Sequence, residues 1–443
     1  MIEVAPGPAP LDAAVRVPGS KYEANRFLIA AALTDGTTRL SGLPEGEDIR
    51  AATSAVDALG GSTAGRGGCL TVRGTAAAAS PGSSFDPGGP VRVSVGESGT
   101  LLRFLTAAAA TVPGSITITG SGRIRQRPVA GLVAALGALG ADIETTGGFA
   151  PLTVRSGRLD GGIASVPATE SSQFASGLLL AAPRAAGAVS VELEGDPVSA
   201  SYLDLTVSVM ARCGVHVERP GPRRFQVASG ARYQPGDHRI SGDWTSAGYF
   251  FAAAALAPGR VTVDGLDPES PQGERRFPEV LRGMGCEVSE ALSEEGVRVT
   301  VTGASRLRGV SVDMRSMPDA VPTLAAIAPF AEGISRIRGT SHLRHKESDR
   351  IAALADGLGR LGARATATDD GLAIEPPEGG AAVRAPALDA HGDHRIAMAL
   401  ALTGLRIPGV RVGSPQVVAK SFPDFWRALA ELGVRVSGEE AGP

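Results

Sequence analysis

Nine residues, HLRHKESDR from His342 to Arg350, set three basic side chains and two histidines around Glu347 and Asp349. Such a run suits a solvated helix face laced with ion pairs. It equally suits an anion site with an acid or base inside it. Other short stretches pose the same choice. In PGSKYEANR, residues 18–26, a Pro-Gly-Ser turn leads into helical apolar spacing, so Lys21 and Arg26 fall at or near a helix N-terminus. The helix dipole favours an anion there, and basic side chains oppose it unless one binds. VGESGTLLRFLTAAAA, residues 95–110, repeats the plan with Arg103 one turn into the helix. GRIRQRPV, residues 122–129, carries Arg123, Arg125 and Arg127 before a proline placed to start the next helix. Alternating arginines also fit the solvent face of an edge strand, but three guanidiniums with no carboxylate nearby in sequence need an anion from somewhere.

In ATESSQFASGLLLAA, Ser171 and Ser172 can cap a helix or give hydroxyls to a phosphate, with Gln173 beside them. DPVSASYLDLTV offers Ser199 and Tyr202 in the matching place one unit later. Asp319 precedes a buried-looking helix and suits an N-cap. His394 and Arg395 open another helix, and Lys420 precedes one more. His391 and His394 are three apart, but no further His/Cys cluster completes a ligand set, so no metal is expected. If the helices pack in parallel, their N-termini converge. Lys21, Arg26, Arg127, Lys346, Arg350, Arg395 and Lys420 would then gather more positive charge than a neutral ligand needs, which points to two polyanionic substrates. Glu347 and Asp319 would be carboxylates in that field, candidates for acid–base work.

The elements that must position these groups recur. A helix end, a Leu/Met/Cys-Gly pair and a β-like run appear around Gly60, Gly140, Gly214, Gly285, Gly362 and Gly433, about 70 to 80 residues apart. The glycine suits the left-handed position that ends a helix. An alanine-rich helix, a Gly turn and a β run come before each such helix, clearest in FLTAAAATVPGSITITG and FFAAAALAPGRVTVDG. The chain is therefore α/β in class, with six units and three in each of two domains. Helices so rich in Ala and Leu belong at a domain centre, with sheets facing outward on one side. The segment from Ala76 to Pro90 looks like a loop and not a boundary.

Bulk properties exclude several classes. A formal net charge of -3 and 4% aromatic residues argue against nucleic-acid and acidic-membrane partners. Three scattered cysteines, Cys69, Cys213 and Cys286, read as reduced and mostly buried thiols of a cytoplasmic protein. No signal peptide and no membrane span is expected.

In order along the chain, PGSK…NR, SGT..R, RP, SSQF, PDA, KESDR, DHRIAMAL and KSFPDF form a set that resembles the 5-enolpyruvylshikimate-3-phosphate synthase family of enolpyruvyl transferases, essentially end to end. The resemblance implies an inside-out α/β barrel in two domains, each of three βαβαββ-type repeats. One domain would be residues 1–20 with 243–443 and the other residues 21–242, with the active site in the cleft between them and hinge closure assembling it. It implies transfer of the enolpyruvyl group of phosphoenolpyruvate to the 5-hydroxyl of shikimate 3-phosphate by addition and elimination, with release of phosphate, in the shikimate pathway. No metal or organic cofactor is implied, and a monomer is expected. Carried over by residue, phosphoenolpyruvate would meet Lys21, Gly99, Arg127, Gln173, Arg350, Arg395 and Lys420. Shikimate 3-phosphate would meet Lys21, Tyr22, Arg26, Ser171, Ser172, Gln173, Ser199, Tyr202, Asp319, His342 and Lys346. Glu347, with Lys21 as the other candidate, would move the proton at C3 of phosphoenolpyruvate. Asp319 would accept the proton of the attacking hydroxyl, and Asp349 would orient a neighbouring base.

Five positions depart from the family's usual pattern. Tyr22 and Ala24 replace serines, Glu97 and His342 stand where asparagine is common, and Phe104 replaces a proline. Tyr22 keeps open a paralogue acting on a different shikimate-like acceptor or catalysing an elimination. A non-catalytic sensor of phosphorylated metabolites would keep the ligands and lose the acid–base groups, yet Lys21, Asp319 and Glu347 are all present. The sister family acting on UDP-N-acetylglucosamine fits less well, since no cysteine precedes Arg127 in its loop.

Overall fold

The six glycines of the repeated phrase all take left-handed backbone, with φ between 83° and 106°, in the computed structural model of the chain. Each follows the C-cap of a helix that only a residue without a Cβ ends cheaply in this way. The structure describes residues 1–75, 90–155, 157–377 and 386–438. The segment from Ala76 that reads as a loop lies outside the described residues, apart from Pro90.

Twelve helices position the site: α1 (Lys21–Ala32), α2 (Glu47–Ala58), α3 (Gly99–Ala109), α4 (Ala130–Ala138), α5 (Ser172–Ala181), α6 (Ser201–Arg212), α7 (Trp244–Leu256), α8 (Phe277–Gly283), α9 (Val321–Ile327), α10 (Arg350–Arg360), α11 (His394–Leu402) and α12 (Phe425–Glu431) among the described residues. The chain forms two compact units, Gly19–Ile240 and Met1–Pro18 with Ser241–Pro443.

In the Gly19–Ile240 unit, Val91–Ser94 lies parallel to Ile116–Thr119, with α3 between them in sequence. α4 then leads to the hairpin Ile143–Thr146/Phe149–Val154, whose second strand pairs antiparallel with Ile116–Thr119. The spatial order is first, second, fourth, third. Gly162–Pro167, Val189–Glu194, Glu218–Gly221 and Arg224–Val227 repeat it around α5 and α6. The remaining sheet takes its first strand from the end of the unit: Asp237–Arg239 pairs parallel with Thr37–Ser41.

The other unit repeats the plan. Leu11–Arg16 pairs parallel with Gly259–Leu266, so residues 19–240 are inserted between a strand and its crossover helix α7. Ser311–Asp313, Ser335–Arg338, Arg364–Thr368 and Gly371–Glu375 make the next sheet. In the last, the N-terminal strand Ile2–Ala5 fills the place between Arg411–Val412 and Arg435–Gly438. A short parallel pair, Leu307–Arg308 and Ala331–Glu332, is additional.

Each unit has its own core. α1 buries eleven of its twelve residues, and α7 buries all thirteen. Helices apolar on every side belong in a core. Strands alternate instead: Val297, Val299 and Val301 are buried while Arg298 is exposed. Helices thus fill each centre and sheets cover it, the expected inside-out arrangement. No described helix is long and apolar enough to cross a membrane. Cys213 and Cys286 are buried, whereas Cys69 is exposed.

Candidate active site

In the Gly19–Ile240 unit the first turns of α1, α3, α5 and α6 carry the anticipated side chains. Ser20 caps α1, and Lys21 is its first residue. Lys21 Nζ lies 3.2 Å from Asp48 Oδ2. The next residue, Tyr22, stacks on Tyr202 of α6 with ring centroids 4.8 Å apart. Arg26 is only 2% exposed. It donates to Thr206 Oγ1 (2.8 Å), Tyr22 O (2.8 Å) and Tyr202 O (2.9 Å), and lies over the Phe104 ring. Burial pulls its pKa down to about 10. Arg103 donates to Gln173 Oε1 (2.7 Å), Gly99 O (3.2 Å) and Pro128 O (3.0 Å). Burial, then the charge of Arg127, pulls it down to about 9. Both guanidiniums stay charged at neutral pH. A Cβ at Gly99 would run into the Arg127 guanidinium and crowd Arg103, so glycine is what lets the two cations meet there. Ser171 caps α5 by accepting from Gln173 N (3.2 Å). Ser172 and Ser199 are buried, and Ser199 has φ 57°.

Two expectations change here. Arg123 and Arg125 lie not on an edge strand but in a 3-10 turn, Gly122–Gln126, and both are exposed. Only Arg127 of the three turns toward Gly99. The proline after it does not start the helix, which begins at Ala130. Glu97 folds against Gly122.

In the other unit the opening stretch splits into a 3-10 turn, Ser341–His345, and the start of α10. Asp319 does not cap α9, whose N-cap position is Ala320. Its carboxylate accepts from Arg350 Nη1 at 2.8 Å and meets Arg395 Nη2 at 3.3 Å. Arg350 also holds Asp393 through Nε at 2.8 Å and Nη2 at 3.3 Å. Burial alone would lower the Arg350 pKa, but Asp393 and Asp319 raise it. Glu347 lies between Lys420 Nζ (3.1 Å) and His394 Nδ1 (2.8 Å). Burial alone would raise its pKa, yet those two partners hold it well below the usual carboxylate range. Glu347 is therefore ionised at neutral pH. Arg395 approaches Tyr249 Oη at 3.4 Å, and burial lifts that phenol to about 12. His342 is buried, and desolvation followed by the charge of Lys346 drives it down to about 3.

Asp349 caps α10 by accepting from Ala352 N at 3.0 Å, and its other oxygen lies 3.8 Å from Arg344 Nη1, too far for a hydrogen bond that would orient it. That orienting work falls to Asp393, which sequence reasoning passed over because it also caps α11 in the ordinary way. Glu347, Asp393 and His394 bring metal-ligand atoms within 4.8 Å of one another. Both carboxylates already hold side-chain cations, so a metal would face built-in positive charge. His391 is not part of that group, being exposed beside Asp389.

The family model for EPSP synthase (3-phosphoshikimate 1-carboxyvinyltransferase) matches residues 5–429. The chain belongs to the EPSP synthase family. A 3-phosphoshikimate 1-carboxyvinyltransferase from Methanoculleus marisnigri is 44% identical over 422 residues, covering 95% of this chain and 96% of the relative. One from Syntrophobacter fumaroxidans is 42% identical, covering 95% and 97%. Among solved structures, EPSP synthase from Acinetobacter baumannii superposes with TM-score 0.80 at 28% identity and covers 99% of both chains. The protein is thus an enzyme with the two-domain enolpyruvyl transferase fold. The chain has three lysines in all, Lys21, Lys346 and Lys420, each a candidate site residue.

Proposed function

We propose that the protein transfers the enolpyruvyl group of phosphoenolpyruvate to the 5-hydroxyl of shikimate 3-phosphate, a reading supported by relatives named 3-phosphoshikimate 1-carboxyvinyltransferase. The observation that carries this reading is the pair of carboxylates, Asp319 and Glu347, each held by two basic side chains within one unit. Phosphoenolpyruvate would engage Arg350, Arg395 and Lys420 there, and Lys21, Arg127, Gln173 and the backbone at Gly99 in the other unit. The acceptor would use Ser171, Ser172 and Ser199 for its phosphate, Arg26 for its carboxylate and Tyr202, with Tyr22, for its ring. His342 and Lys346 would complete the acceptor side.

The chemistry follows from the charges. Phosphoenolpyruvate offsets Lys420 and Arg350, which relieves the pull on Glu347 and lets it take up a proton. Glu347 then gives that proton to C3, making C2 electrophilic. Asp319 accepts the hydroxyl proton as oxygen attacks C2. Glu347 takes the C3 proton back as the C–O bond to phosphate breaks and the vinyl group reforms, and the proton held by Asp319 passes to the released phosphate. The cations hold two anionic molecules together, a positional and electrostatic task.

The test is to mix protein with both substrates and follow phosphorus and proton NMR. Inorganic phosphate with a new vinyl ether is the expected result. No turnover by folded protein would reject the reading and direct the search to other ring acids. Glu347→Gln should lower kcat by roughly 10²–10⁴-fold while substrate still binds.

A further inference from the structure

Asp48 stands where α2 should carry an apolar side chain. That helix buries Ile49, Ala52, Ala55 and Val56, and Asp48 is buried with them at 7% exposure. A carboxylate there costs desolvation unless a cation meets it. The cation is Lys21, at 3.2 Å, with side-chain exposures of 13% and 9% for lysine and aspartate. The pair ties together the first turns of two helices. Lys21 opens α1, so its ammonium faces the positive end of its own helix dipole. Asp48 offsets that repulsion. It also complements the start of α2, where Gly46 supplies no capping side chain.

An ammonium on a four-carbon stem has three donors and many rotamers, and something must fix its direction. Among the described residues, Asp48 is the acceptor recorded for it, and the Tyr22 ring lies 5.9 Å from Nζ. Two N–H groups remain for a ligand. We propose that Asp48 is a positioning residue for the reaction: it aims the Lys21 ammonium so that those two donors meet the substrate. This rests on the functional reading above only in that Lys21 touches substrate.

The small number of lysines makes the idea measurable apart from activity. Brief acylation with an amine reagent, read by peptide mass spectrometry, reports Lys21, Lys346 and Lys420 separately. In Asp48→Asn, which is nearly isosteric, Lys21 should acylate ~5-fold faster or more once its ion pair is gone. Lys346 and Lys420 should keep their wild-type rates. In the same variant kcat should fall ~10- to 100-fold with KM for phosphoenolpyruvate within about threefold. Asp48→Glu, which keeps the charge, should recover part of both effects. Unchanged Lys21 labelling overturns the proposal, as does unchanged kcat. Equal acceleration at all three lysines means a loosened fold and overturns it too. If the wild-type protein fails to turn over the two substrates, the functional reading falls, while the labelling still judges whether Asp48 holds Lys21.

Discussion

The two units hold their buried site arginines by different means. In Gly19–Ile240, the hydrogen bonds recorded for Arg26 and Arg103 go to backbone carbonyls, a threonine hydroxyl and a glutamine amide, all neutral. In the other unit Arg350, Arg395 and Lys420 each meet a carboxylate. Desolvation dominates the first pair and pulls both guanidiniums down. Charge pairing dominates Arg350 and raises it. The first arrangement sets buried positive charge among neutral partners. The second pairs its cations with carboxylates of the protein itself.

The sharpest way to break this contrast is to delete one charge on each side. Asp393→Asn leaves Arg350 without half its pairing and should cost ~3–5 kcal/mol of stability by denaturant unfolding. Arg103→Met removes a cation that has no recorded carboxylate partner. It leaves the three acceptors of its hydrogen bonds without that donor and should cost ~1–3 kcal/mol. Equal costs would show that the two sets are held alike.

A second effect separates, by pH, groups within the unit Met1–Pro18 with Ser241–Pro443. Burial keeps His342 neutral down to about pH 3, whereas an unfolded histidine takes its proton near 6.5. Stability should therefore fall as pH drops from 6.5, by up to ~1.4 kcal/mol per pH unit. Glu347 and Asp393 are depressed carboxylates, so their contribution is present above the ordinary carboxylate range and is lost only on further acidification. His342→Gln should flatten the upper part of the profile and leave the lower part in place, as checked by unfolding at stepped pH. A slope unchanged in that variant would mean that His342 is not the group responsible.

The smallest effect concerns the opening motif. Asp349→Ala should cost ~1 kcal/mol through loss of its cap and leave kcat within about twofold. A large kcat loss would return Asp349 to the site.

Local features were legible in the sequence. The glycine at each helix end and the buried Ala-rich helices follow from short-range spacing. So do the cations at helix starts, such as Lys21 and Arg395. What was not legible is long-range. Glu347 meets His394 across 47 residues, and Lys21 meets Asp48 across 27. Periodicity carries no information about such pairs. Asp393 was hidden for another reason: an aspartate before a helix already has a sufficient local explanation, so its grip on Arg350 adds no sequence signal. Strand order was equally hidden, since Asp237–Arg239 joins a sheet begun some 200 residues earlier in the chain.

The insertion of residues 19–240 between a strand and its crossover helix has a consequence during synthesis. The Gly19–Ile240 unit has all its strands once Arg239 leaves the ribosome. The other unit cannot close then, because Ile2–Ala5 must wait for Arg435–Gly438. At ~5–20 residues per second, that strand spends roughly 10 to 40 s exposed beside an already folded neighbour. Ile2–Ala5 is thus made early and finds its place late, and a ribosome stalled in the final repeat would display an unpaired edge to other chains.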